Sequence, residues 1–128
     1  MAERRAISSG TKYEELAGYS RAVVDGEWIF LSGTTGYDPA SGRFSDDVGE
    51  QAAQALKNIA DALAKADAGF ADVVRVRVYL ADARDVVAVS TLLRETFGDP
   101  RPTNTTIICG FADPAIKVEF EMTALKRR

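Results

Sequence analysis

The chain contains no histidine and one cysteine, Cys109, and this absence decides much of the chemistry its side chains can do. Ser-His-Asp and Cys-His nucleophilic catalysis are excluded within the chain, and a typical zinc site of Cys and His ligands cannot be assembled. Acid–base work must fall to carboxylates, tyrosine, lysine or water. The best-placed carboxylates are Glu119 and Glu121, which alternate with apolar residues in "IKVEFEMTAL" (116–125). In "DVVRVRVYL" (72–80), Arg75, Arg77 and Tyr79 recur at the same spacing of two. A third candidate is the run Thr103-Asn104-Thr105-Thr106 in "PRPTNTTIIC", polar where a strand begins. Asp46-Asp47 reads as a pair of helix-dipole partners rather than a cation site, so no metal is expected. Gly33 and Gly36, with Thr34 and Thr35 between them, match neither nucleotide-binding spacing and suit a tight connection lining a cleft. Cys109 reads as a small buried apolar residue rather than a nucleophile.

These side chains need elements to aim them. "SRAVVDGEWIFLSG" (20–33) holds two strand-like runs joined by Asp25-Gly26, a hairpin signal. Trp28 and Phe30 share one face by period two, and Ile29 and Leu31 the other. A loop rich in Gly, Pro, Ser and Asp follows, and from Ser45 the period changes. Val48, Ala52, Ala55, Ile59, Ala62 and Ala66 recur at steps of four and three, which predicts a helix. Asp47 and Glu50 stand at its start with capping-box spacing, and Gly69 is its expected stop. In the strand 72–80, Val74, Val76, Val78 and Leu80 are expected on one face, with Val73, Arg75, Arg77 and Tyr79 on the other. A second helix is expected from about Asp85 to Phe97, then strands at about Thr103–Cys109 and at 116–125. With a weak strand near Arg5–Ser8, the order is β-β-β-α-β-α-β-β. An α+β fold follows, a mixed sheet with two helices on one face. The other face mixes Arg75, Arg77, Tyr79, Glu119 and Glu121 with apolar bulk, which suits a subunit interface better than bare solvent.

The chain is long enough for one domain, taken as residues 1–128. Its 46% hydrophobic and 27% charged residues are those of a soluble globular protein. The net charge of −3 lacks the clustered basic excess of a nucleic-acid binder. No run approaches the length needed to cross a bilayer. The basic N-terminus lacks the apolar stretch of a signal peptide, and a lone cysteine suits a reducing compartment. A cytoplasmic protein with no membrane or nucleic-acid partner is expected.

In order and spacing, "GYSRAVVDGEWIFLSG", "EQAAQALKNIADALAKA", "DVVRVRVYLAD" and "KVEFEMTAL" resemble the Rid family (reactive intermediate deaminases, or YjgF-like proteins) over nearly the whole chain. The resemblance implies a chorismate-mutase-like fold and a homotrimer with three clefts between neighbouring subunits. It also implies, for the deaminating branch, hydrolysis of enamines and imines with release of ammonia and no cofactor. Carried over residue by residue, the glutamate that handles water falls on Glu119. The pocket aromatic falls on Tyr19, the Ser-Gly pair on Ser32 and Gly33, and the polar helix position on Ser90. Thr34 and Thr106 adjoin these positions as further substrate contacts. The substrate-binding arginine of a Pro-x-Arg motif falls on Asn104, in Pro102-Thr103-Asn104, and so is missing.

An amide can donate where a guanidinium stood, but without charge or a rigid fork. Hydrogen bonds to charged groups contribute about 1.5–3 kcal/mol against roughly 1 for neutral ones. The exchange should therefore weaken carboxylate binding by about ten- to a hundredfold. Arg77 and Arg101 are the candidate replacements; the alternatives are an ion pair with Glu119 or Glu121 for Arg77 and a solvated loop position for Arg101. Glu119 has a structural alternative too, as partner of Arg75 or Arg77. Three functions stay open: a Rid-like hydrolase with altered substrate choice, a non-enzymatic trimeric small-molecule binder or regulator using the same cleft, and RNA binding. The last is disfavoured by the acidic balance.

Overall fold

The computed structural model describes residues 3–127. In chain order the elements are β1 (Arg4–Ile7), α1 (Lys12–Ala17), β2 (Ala22–Asp25), β3 (Trp28–Leu31), β4 (Thr34–Thr35), α2 (Val48–Lys65), β5 (Val73–Leu80), α3 (Val86–Thr96), β6 (Thr103–Ile108) and β7 (Val118–Leu125). The strands form one mixed sheet in the order β1-β2-β3-β7-β5-β6, with β4 also paired to β7. All the pairings are antiparallel except β5 with β6. This is the expected α+β, chorismate-mutase-like architecture.

The central strand β7 shows how patterning becomes packing. Val118, Phe120, Met122 and Ala124 are at most 1% exposed, one residue in two, and meet Ile29 and Leu31 of β3 and Val76, Val78 and Leu80 of β5 in a single core. Each of these side chains other than Ala124 contributes roughly 1.5–3 kcal/mol by leaving water. Helix α2 covers that face. Its alanine-rich stripe, Ala52, Ala55, Ile59, Ala62 and Leu63, is buried, and small side chains let the helix lie close. Asp47 caps it by accepting from the Glu50 amide at 2.9 Å, as the spacing predicts.

Gln51 lies in the same helix with no exposure. Its Nε2 donates to the carbonyls of Ser45 and Ala115, and its Oε1 accepts from the Lys117 amide. One buried amide thus joins the loop before α2 to the segment entering β7. Gly36 lies against it: a Cβ there would come 2.4 Å from the Gln51 carbonyl oxygen.

The structure corrects the expected elements in four places. A short helix, α1, precedes the hairpin, so there are three α-helices among the described residues rather than two. The loop after β3 contains β4, held to Phe120 and Glu119 of β7. Helix α2 ends at Lys65, not at Gly69. The Asp67 and Ala68 amides close back on Ala64 and Leu63, with Asp67 at φ 57° in the left-handed position glycine usually fills. Finally, β5 carries a bulge between Val73 and Arg75. An extra residue shifts the alternation, so Val73 is buried with Val76, Val78 and Leu80, while Val74 is exposed.

Candidate active site

Glu119 lies on β7 opposite Thr35 on one side and Tyr79 on the other. It alternates with the core residues and therefore projects from the sheet face that no helix covers. Its carboxyl group is seated on Gly33, where a Cβ would fall 2.8 Å from both Cδ and Oε2. Only glycine allows that approach. The Glu119 carboxyl is half-buried, and neither oxygen hydrogen-bonds to another described residue, so both are open to water or ligand. Burial lifts its pKa above the ordinary carboxylate value of 4.5, against the pull of the Arg21 guanidinium and with a further push from Glu121. Glu121 is engaged otherwise, accepting from the Tyr79 hydroxyl at 2.8 Å.

Arg21 holds the backbone beneath Glu119. It is 8% exposed, and its Nη1 donates to the Gly33 carbonyl at 2.8 Å and to Thr34 Oγ1 at 3.1 Å. Its Nη2 donates to the Tyr19 hydroxyl at 3.0 Å, and its guanidinium lies 5.3 Å from the Tyr19 ring centroid. Its Nε is 3.9 Å from Oε2 of the buried Glu14. Burial opposes the Glu14 charge, but hydrogen bonds from Ser9, Thr11 and Ser8 outweigh it and hold the carboxyl down at about 2. A pair charged at neutral pH thus fixes the segment between β3 and β4 that carries Ser32 and Gly33. Arg21 was missed in the sequence, although a lone charge opening the apolar strand "RAVVD" was a signal.

The remaining candidates divide by place. Tyr19 is partly exposed beside Arg21. The Ser32 hydroxyl donates to the Ser20 carbonyl at 2.7 Å, and Thr34 is 2% exposed and donates to the Ser32 carbonyl. Ser90 and Asn104 line a different concavity together with Arg94 and Arg101, at the corner between α3 and β6. Asn104 pairs with Val76 and Thr106 with Val78, so both lie on the helix side of the sheet. Arg77, paired with Thr105, projects from the opposite face with Glu119. It makes no ion pair within 4.0 Å among the described residues. Within one chain Arg77 therefore does not share the side of the sheet on which Asn104 lies. The Glu119 group and the Asn104 group are separated by β5, about 10 Å between strands, and by the sheet itself. Cys109 is half-buried at the end of β6, its amide bonded to the Leu80 carbonyl.

A cavity of about 150 Å³ opens on the helix side near α1 and is lined by Tyr13, Arg21, Tyr37, Asn58, Asp61 and Lys65 among others. Among the described residues no cluster of His, Cys, Asp and Glu could hold a metal ion, and no helix is long and apolar enough to cross a membrane.

A mixed sheet with its helices on one side, and a half-buried carboxyl set over a glycine on the other, defines a small α+β protein of the chorismate-mutase-like class. Residues 10–126 match the family described as Endoribonuclease L-PSP, and the chain belongs to this YjgF/RidA family. It is 33% identical to human 2-iminobutanoate/2-iminopropanoate deaminase over 124 residues, 96% of this chain and 90% of that protein. It is 32% identical to a RutC family protein of Pyrococcus abyssi, over 84% of this chain and 86% of that one. Among solved structures, a Mycobacterium tuberculosis member of the YjgF/YER057c/UK114 family superposes with a TM-score of 0.87 at 35% identity, covering 96% and 99% of the two chains.

Proposed function

We propose that this chain is a cytoplasmic Rid-type hydrolase of imines or enamines formed from small metabolites, acting as one domain in clefts between three copies. The observation that carries the reading is Glu119, a half-buried, unpartnered carboxyl with raised proton affinity, seated on Gly33. A carboxylate so placed takes a proton from water as the water oxygen attacks the carbon of the protonated imine, giving a neutral carbinolamine. The resulting carbinolamine collapses when the Glu119 carboxyl returns its proton to nitrogen. The C–N bond breaks, ammonia leaves, and the hydroxyl proton passes to the Glu119 carboxylate as the carbonyl forms. A proton affinity nearer neutrality suits a group that both takes and gives. The division of the candidate residues into two separated groups supports assembly, since a neighbour's α3–β6 corner would complete what one chain leaves open.

The test is ammonia release from 2-iminobutanoate or 2-iminopropanoate generated in solution. The native chain should exceed the spontaneous rate, and Glu119→Gln should lower kcat by about a hundredfold or more. A native protein no faster than buffer would defeat the reading. A second reading rests on Asn104, whose uncharged amide suits a neutral ligand: a trimeric binder or regulator using the same cleft. It requires saturable binding of an uncharged metabolite that Glu119→Gln leaves unchanged.

A further inference from the structure

We infer that Arg21 is a positioning residue for the proposed hydrolysis: its one buried guanidinium fixes the Gly33 seat of Glu119 and the Tyr19 side chain together. This role rests on the hydrolase reading and adds to it a residue that need touch neither the attacking water nor the reacting carbon.

The backbone under Glu119 departs from the regular ladder. Phe30 pairs with Thr123 and Thr34 with Phe120, so three residues, 31–33, stand opposite two, Glu121 and Met122. Such a detour gives up regular pairing and needs other holds, which Ser20 and Arg21 supply. The Ser32 amide donates to the Arg21 carbonyl at 2.9 Å, and the Ser32 hydroxyl to the Ser20 carbonyl. Any residue at position 21 could offer that carbonyl. The bonds from Nη1 to the Gly33 carbonyl and to Thr34 Oγ1 need the arginine itself.

A guanidinium buried to this degree requires strong compensation. Glu14 supplies the opposite charge, but at 3.9 Å from Nε it makes no hydrogen bond to Arg21. Its oxygens are taken by the hydroxyls of Ser8, Ser9 and Thr11. An arginine kept for its ion pair alone would aim its donors at Glu14; these go to Gly33, Thr34 and Tyr19 instead. The Tyr19 hydroxyl accepts from Nη2, and its own proton has no acceptor among the described residues. Accepting from a cation strengthens a hydroxyl as a donor, so Tyr19 keeps a free O–H for a substrate.

The charge acts as well as the fork. On the open face Glu119 has Glu121 two residues along β7, with Arg77 and Tyr79 on β5, and the Tyr79 hydroxyl is bonded to Glu121. Burial raises the proton affinity of Glu119, Arg21 pulls it down, and Glu121 pushes it up.

Two variants separate fork from charge. Arg21→Gln keeps a donor and removes the charge, whereas Arg21→Lys keeps the charge and loses the rigid fork that spans three acceptors. With 2-iminobutanoate generated in solution, Arg21→Gln should lower kcat by about tenfold or more and move the acid limb of the rate profile to higher pH. Arg21→Lys should keep the native limb while kcat falls by about fivefold. Tyr19→Phe should raise KM by about fivefold, the effect of one neutral hydrogen bond, and leave the limb in place. A purely structural role would lower the thermal midpoint of Arg21→Gln and leave its limb and its kcat per folded molecule native; that result overturns the inference. Should Arg21→Gln fail to fold, Arg21→Lys decides: native kcat and KM there overturn the inference, and a lowered kcat at the native limb supports it. Titration of the Glu119 carboxyl by carbon-13 NMR needs no turnover. A midpoint raised in Arg21→Gln, in a chain that releases no ammonia, would sink the hydrolase and leave the hold of Arg21 on Glu119 standing. Ammonia release by the native chain, with midpoint and kcat unchanged in Arg21→Gln, would do the reverse.

Discussion

At the scale of single residues, the contact between Glu119 and Gly33 has the most direct chemical consequence. A methyl group at Gly33 would occupy the space of the Glu119 carboxyl. Gly33→Ala should therefore push the carboxylate toward solvent while leaving the core intact. We expect kcat for ammonia release to fall by about tenfold or more, with little change in thermal midpoint. The acid limb of the rate profile should also move to lower pH, because burial is the main cause of the raised proton affinity. Native rate should rise with pH through that elevated value, since the basic form is needed to accept the proton from water. Glu119 was legible in the sequence through the period-two pattern of its strand and the family resemblance. Its seat on Gly33 was not, because a contact across 86 positions follows from sheet pairing that no local pattern encodes. That Arg94 stands beside Asn104 was not legible, because it depends on how α3 lies along β6.

At the scale of elements, α1 and the segment before it form an acid-sensitive support. Glu14 receives hydrogen bonds from Ser8, Ser9 and Thr11 and faces Arg21, and its folded pKa of about 2 lies below the ordinary 4.5. A depressed carboxyl stabilises the fold above its unfolded value and loses that contribution as pH falls from 4.5 toward about 2. The shift corresponds to roughly 3 kcal/mol at neutral pH. Urea midpoints measured between pH 7 and pH 2.5 should fall steeply for the native chain. Glu14→Gln should be less stable at neutral pH and show a flatter acid limb; parallel curves would refute the assignment. This helix escaped the sequence reading because it is six residues long and has no apolar stripe. Its marks were Thr11 three residues before Glu14, and Gly18, left-handed at φ 71°, just past its end. The long helices and β7 were legible because their periodicity runs over many residues. The β5 bulge was not, since an inserted residue among valines leaves the composition unchanged and alters only the pairing.

At the scale of the molecule, the sheet presents an uncovered face and an uncovered edge together. Trp28 and Phe30 stack at 6.1 Å between centroids while 44% and 47% exposed. All six residues of β6 are exposed, including Ile107 and Ile108. Apolar bulk beside an unpaired edge invites association, and the proposed trimer answers it. Phe30→Lys should shift the sedimenting species toward monomer and reduce turnover in proportion; an unchanged mass would place the interface elsewhere. Alternation along β3, β5 and β7 made this face visible in the sequence, although the number of subunits came only from the family resemblance.

Strand β5 stands between the carboxylate group around Glu119 and the corner around Asn104. The two are built on different elements, with no shared side chain. On the hydrolase reading, a lineage could therefore remodel the proposed substrate corner while inheriting the carboxylate half unaltered. In such an arrangement relatives would diverge in diet before they diverge in chemistry.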